Sequence, residues 1–206
     1  TCSDPAGSSA GNDLTLFIND SITVGLELKR PSPDWMQVCL SYDSTSRRWT
    51  VDLNARSKIP KKCRELYKQA IQDQILWEGR VPSFLQNKII YDDWCEEKKG
   101  RFEDTYLECP DDLIARLYKT KGCQYIQIAG KGLYCLGDDP IGLGVPIFHC
   151  PQRIRIRTKV HSRTSKQGYA SLSVTAAAQP ISLHILEPSP YSLDNAEHFP
   201  PCFKKH

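Results

Sequence analysis

Asp13, Glu27 and Lys29 are the residues of this 206-residue chain whose types and spacing could do chemistry. They flank two apolar runs, Leu14-Leu16-Ile18 and Ile22-Val24-Leu26-Leu28, that alternate with polar residues. Strand side chains alternate faces, so each run presents one apolar side. A hairpin that keeps both runs on the same side must set Ile18 opposite Ile22, Leu16 opposite Val24 and Leu14 opposite Leu26, because a one-residue slip would turn one run outward. The loop is then Asn19-Asp20-Ser21, and Asp13 falls across from Glu27. Directly opposed side chains hold their Cβ atoms about 4.5–5.5 Å apart. Two carboxylates at that separation share a proton, turn apart into solvent, or bind a cation. Lys29 lies on the same face and supplies one positive charge, and Gly25, also on that face, leaves room beside the pair. The plain alternative is an exposed cross-strand charge cluster.

An Asp ahead of a strand bearing Glu27-Leu28-Lys29 resembles the PD-(D/E)xK nuclease superfamily, and the wording is most similar to the nuclease region of type I restriction-enzyme motor subunits. The resemblance covers residues 13–31. It implies an α/β (α+β) fold with a mixed central β-sheet flanked by helices, Mg²⁺ (or Mn²⁺) held by Asp13 and Glu27, and hydrolysis of phosphodiester bonds, with Lys29 assisting the attacking water. Mg²⁺ takes hard oxygen ligands, one or two carboxylates plus waters and phosphate oxygens. A cation beside the nucleophile offsets the charge that builds during attack. The resemblance also implies a further acid on a preceding helix. Only twelve residues precede Asp13, so either that acid lies upstream of Thr1, or Asp43, Glu65 or another later acid takes its role, or the site is incomplete. Gln37, on the following strand, is a further catalytic candidate. Pro33-Asp34 with Asp52-x-Asn54 is a weaker second reading that lacks a lysine. Glu96-x-Lys98 and Glu97-x-Lys99 match E-x-K by chance in a polar stretch.

A second feature lies far along the chain. Residues 140–186 hold no Asp or Glu but six cations, Arg153, Arg155, Arg157, Lys159, Arg163 and Lys166. In "RIRIRTKVHSR" the basic residues alternate strictly with Ile154, Ile156, Thr158 and Val160. One face would pack on a core while the other presents cations about 6.6–6.8 Å apart. Phosphates along one DNA strand are separated by a comparable distance, and such contacts supply affinity rather than sequence reading. Nucleic acid, DNA above all, is the expected partner. A charged edge protected from aggregation is the alternative. Lys131, in Gly130-Lys131-Gly132, is a further phosphate contact on a tight turn; the spacing is not that of a P-loop.

These residues need elements to position them. The pattern predicts a flexible arm over 1–12, one domain over 13–186, which the resemblance implies is nuclease-like, and a Pro-rich extended tail over 187–206. Within the domain, strand pairs are expected at 14–29, around Asp43–Arg48 and around Gly130–Gly132, with further strands at 153–163 and 168–178. Helical spacing covers 60–78, with Leu66, Ala70, Ile71 and Ile75 on one side, and 110–122, with Pro110 and Asp111 at its start. The net charge of +3 is mild, and no apolar run approaches the length of a membrane span. The nine cysteines form no C-x-x-C, and several sit in apolar runs where a reduced thiol packs as a small hydrophobe. An intracellular, reducing setting is expected, and a homodimer is implied by the resemblance alone. Two other readings stand beside the nuclease: a non-catalytic nucleic-acid-binding or protein-interaction module, and a secreted disulfide-rich binding domain.

Overall fold

In a computed structural model, residues 11–18, 22–31, 34–163 and 168–201 are described. The class is mixed α+β, as expected, with the strands divided between two sheets. The first sheet is mixed, in the order β1 (Leu14–Ile18), β2 (Ile22–Lys29), β6 (Cys123–Ile128), β7 (Gly132–Cys135). The second is antiparallel, in the order β4 (Arg48–Thr50), β3 (Trp35–Asp43), β9 (Ala170–Pro180), β8 (Gln152–Arg163), β5 (Thr105–Glu108). The described residues also form three α-helices, α1 (Lys61–Ile71), α2 (Tyr91–Lys98) and α3 (Leu113–Lys119).

The hairpin register is the one the apolar pattern demands, with Leu14 opposite Leu26, Leu16 opposite Val24 and Ile18 opposite Ile22. Leu14, Leu16, Val24 and Leu26 pack with Tyr125, Leu133, Cys135 and Val145 in a small core. Leu28, the last residue of that stripe, is exposed. The other face of β2 looks toward the main core, which α1, α3 and both sheets share. Helix α3 touches β6 in one sheet and β3 and β9 in the other. Phe148 links the sheets as well, its ring 5.8 Å from that of Trp35 and 6.5 Å from that of Tyr134.

Helix α1 is shorter than its pattern suggests. It ends at Ile71, and its buried spine is Cys63, Tyr67 and Ile71, four residues apart, rather than the line through Ile75, which is 73% exposed. Gln74 already donates its N–H to Ile71 in a turn, which carries Ile75 away from the core.

Each sheet has an irregularity that a side chain repairs. Between Gly25 and Leu26 the β2–β6 register skips Gln124, and the Gln124 Oε1 accepts the Gly25 N–H at 2.6 Å. Between Trp35 and Gln37 the β3–β9 register skips Met36, whose φ is +48°. There Tyr67 from α1 inserts its hydroxyl, accepting the Ala178 N–H at 2.9 Å and donating to the Met36 carbonyl. A bulge leaves backbone groups without ladder partners. A buried group so left costs about 1–3 kcal/mol, so these two side chains hold the ladders together.

The tail is more engaged than an extended wrap implies. The Tyr191 carbonyl accepts the Leu133 N–H at 2.9 Å, so residues near 191 lie along β7. Tyr191 and Leu193 pack on the small core. The seven described cysteines are free thiols. Among the described residues, no helix is long and apolar enough to cross a membrane.

Candidate nuclease-like site

Strand β2 carries Gly25, Glu27 and Lys29 on one face. That face is not a solvated edge. Glu27 is 1% exposed, enclosed between the mixed sheet and α3. Extending the hairpin register by one residue sets Asp13 across from Glu27. Asp13 accepts the Leu28 N–H on its Oδ2 at 2.9 Å, which fastens the start of β1 beside the Glu27–Lys29 segment.

Glu27 is held by two ammonium groups. Lys29 pairs with its Oε1, and the Lys121 Nζ lies 2.8 Å from its Oε2. Both lysines also lie over the Tyr118 ring, at 5.0 Å and 5.3 Å from its centroid, a favourable cation–π arrangement. The Cys123 thiol donates toward Glu27 Oε2 at 3.7 Å. Burial, and next the Glu27 carboxylate, push that thiol up to about 12, so it stays protonated. Burial, and next Glu27, likewise raise the Tyr118 hydroxyl well above its ordinary value. That hydroxyl is buried and has no hydrogen-bond partner among the described residues.

Lys121 is the residue that sequence reasoning missed. It arrives because the α3–β6 turn comes hard against β2. A Cβ built at Gly25 would lie 2.1 Å from the Gly122 carbonyl oxygen, and Gly122 itself has φ +84°. The space beside the carboxylates that Gly25 was expected to leave open is therefore filled by the backbone of this turn. Lys121 stands 94 residues from Glu27 in sequence. Its one local signal is Lys121-Gly122 between a helix and an apolar strand, which says nothing of a carboxylate.

The other candidate acids do not join the pair. Asp43 is exposed at the β3–β4 turn, where it accepts from Ser46 and Thr45, and these bonds lower its pKa. Asp52 caps the Asn54 N–H at 2.8 Å, a local turn that replaces the second-motif reading. Glu96 pairs with Lys99, and Glu97 accepts the Ser83 N–H at 2.9 Å. Gln37 lies on β3 opposite Ala177, and no hydrogen bond or ion pair joins it to Asp13, Glu27 or Lys29 among the described residues. No cluster of three or more His, Cys, Asp or Glu suited to a metal occurs among the described residues.

The basic strand is β8, and its apolar face packs as expected, with Ile154 and Ile156 fully buried. Its cations meet acids that the local sequence lacks. Arg155 donates its Nε to Asp104 at 2.8 Å and pairs with Asp34 at 3.3 Å. Arg157 pairs with Asp34 at 2.9 Å. Arg153 stacks 3.9 Å above the Tyr106 ring and donates to Gln179 at 2.9 Å. Lys159 is half-buried on the same face. Past Val160 the β8–β9 register shifts, so the strict alternation read through Arg163 stops there. The Arg163 side chain, and Lys166, lie outside the described residues. Lys131 is exposed at its turn, but the neighbouring Gly130 N–H is donated to Asp194 at 2.7 Å, so this turn does not present a free amide nest to phosphate. Tyr125 and Tyr134, on β6 and β7, are buried and offer no ring to a base.

The Asp13 and Glu27 carboxylates are hard oxygen donors of the kind Mg²⁺ takes. Asp13 Oδ1 has no partner among the described residues, while cationic groups already face both oxygens of Glu27. The residues fit a divalent cation in donor type, with an ammonium to be exchanged at Glu27.

No family model matches this chain, and no curated protein matches it. Among solved structures, HhaI endonuclease in complex with DNA is similar to it at 11% sequence identity and a TM-score of 0.42, over 88% of this chain and 85% of that chain.

Proposed function

We propose that this protein is a metal-dependent nuclease hydrolysing phosphodiester bonds in DNA. One observation carries the reading. The β1–β2 register, observed from Leu14 opposite Leu26, would set Asp13 across from Glu27 if extended by one residue, and Lys29, two residues on from Glu27, pairs its ammonium with the Glu27 carboxylate. Holding a carboxylate at 1% exposure is costly unless it is paired and hydrogen-bonded. A sheet face used only for stability would be cheaper to build from apolar side chains.

In this reading Asp13 and Glu27 hold Mg²⁺ or Mn²⁺. The bound ion would polarise the scissile phosphate and lower the pKa of a water. Lys29 orients the attacking water and offsets the negative charge that develops on the phosphate oxygens. Its contact with Tyr118 fixes the ammonium from behind, so less side-chain freedom is lost when substrate enters. The Arg153–Lys159 face of β8 contacts the DNA backbone.

Cleavage of supercoiled plasmid in Mg²⁺ or Mn²⁺ tests the proposal. Activity that vanishes on chelation, and in Glu27→Ala and Lys29→Ala, supports it. General acid–base groups of this kind contribute about 10²–10⁴ in rate. Salt-dependent DNA binding with no cleavage in any divalent ion would leave a non-catalytic binding module.

A further inference from the structure

We propose that Lys121 is a positioning residue that holds Glu27 Oε2 in the metal-free protein and gives up that oxygen when a divalent ion enters. The inference rests on the metal-dependent reading above and adds a competition to it. Lys29 alone would neutralise Glu27. A second ammonium at 2.8 Å, with its side chain only 4% exposed, goes beyond what one carboxylate needs. An ammonium taken so far out of water carries a desolvation penalty of several kcal/mol. The chain nonetheless brings it there by a specific device. Only a residue without Cβ at position 25 admits the Gly122 carbonyl, and that approach carries Lys121 onto the carboxylate.

The two lysines divide the carboxylate between them, Lys29 on Oε1 and Lys121 on Oε2. A cation that coordinates Glu27 therefore displaces one of them. Lys29 belongs to the Glu-Leu-Lys triplet and is the more exposed of the two, open to water and substrate. Lys121 is the one to yield. It has somewhere to go, because its ammonium already lies over the Tyr118 ring, 5.3 Å from the centroid, and that ring holds a cation without drawing on the carboxylate. Lys121 thus stands in for the metal: it keeps the Glu27 carboxylate paired and aimed when the ion is absent, and it sets the ion concentration at which the site loads.

The test is an Mn²⁺ titration of the full chain followed by electron paramagnetic resonance, comparing the wild type with Lys121→Met and Lys121→Arg. Removing the competing charge is expected to tighten Mn²⁺ binding about tenfold in Lys121→Met, with Lys121→Arg near the wild type. A merely structural lysine would do the reverse, since a disturbed site binds more weakly. Equal or weaker Mn²⁺ binding by a folded Lys121→Met overturns the inference. If the wild type meanwhile binds Mn²⁺ and cleaves DNA, the functional reading survives that failure. If neither protein binds Mn²⁺, both fall. Should Lys121→Met not fold, the wild type decides: with ¹⁵N-labelled lysine side chains, Mg²⁺ is expected to move the Lys121 ammonium resonance, and no movement at saturating Mg²⁺ overturns the inference.

Discussion

Glu27 and Asp34 each hold two basic side chains, and they do so in opposite surroundings. Glu27 meets Lys29 and Lys121 under the mixed sheet, with Glu27 and Lys121 almost wholly enclosed. Asp34 meets Arg155 and Arg157 on the antiparallel sheet, where each partner keeps a fifth or more of its side chain in water. Arginine suits the second place, since its planar fork can serve Asp34 and Asp104 at once. Lysine suits the first, as a compact point charge on a flexible stem. A buried charge is sensitive to the loss of its partner, whereas one that water still reaches is partly compensated by solvent. The pairing pattern alone therefore does not rank the two; burial does.

The largest expected effect follows from that contrast. Glu27→Ala leaves two ammonium groups facing one another with no anion between them, and the loss on breaking a buried pair is about 3–5 kcal/mol. Asp34→Ala leaves two arginines that water can reach, and about 1 kcal/mol is expected. Urea unfolding of the two variants measures both. Equal losses would show that the Glu27 cluster is wetter than its enclosure implies. Glu27→Gln separates charge from volume, and it should recover packing but not the ion pairs.

What was legible in the sequence follows the range of the interactions. The register of β1 against β2 came from a period-two pattern across three loop residues, where a slip is penalised at every position. It fixed Leu14 opposite Leu26 without any knowledge of the rest of the chain. The α+β class was legible for the same reason, since strand and helix periods are local. Lys121 was not, because it meets Glu27 only after β2 and β6 pair in parallel across a long crossover. Asp34 and Asp104 were hidden likewise: they stand 121 and 51 residues from Arg155. A stretch without acids in sequence is not a stretch without acids in space. The bulges that bring in Gln124 and Tyr67 break the alternation that made the hairpin readable, so the same rule that succeeded at β1–β2 was silent there.

A smaller effect tests how the enclosed site is assembled. Gly25→Ala places a Cβ against backbone at 2.1 Å, where no side chain can rotate aside. The α3–β6 turn must retreat and take Lys121 with it. Overpacking of this kind costs about 1–3 kcal/mol, read as a lowered urea midpoint. A Gly25→Ala protein as stable as the wild type would mean the turn is free to move, and the claim that it delivers Lys121 to Glu27 would fail. Tyr67→Phe makes the matching test in the other sheet. It strips the Ala178 N–H and the Met36 carbonyl of their shared partner, at about 1–3 kcal/mol. Its effect should be confined to stability, because Tyr67 touches neither Glu27 nor the arginines of β8 in any hydrogen bond among the described residues.

The smallest effect in stability is the most telling for the open network. Asp34→Asn removes the shared anion of Arg155 and Arg157 while keeping the hydrogen-bonding shape that Gln179 uses at 2.7 Å. If these arginines reach DNA phosphates, freeing them should tighten binding and steepen its salt dependence. Arg157→Ala should do the opposite, lowering the salt slope by about 1, the share of one phosphate contact. Binding isotherms over a range of salt concentrations for the two variants give both signs in one experiment. Movement in opposite directions assigns the strand to the nucleic acid, with Asp34 as the counter-ion that substrate phosphates replace. Unchanged slopes in both would assign Arg155 and Arg157 to Asp34 permanently, and the network would then be what holds β8, β9 and the start of β3 together. In that outcome Asp34 belongs to the architecture of the antiparallel sheet, tying the arginines of β8 to Gln179 of β9.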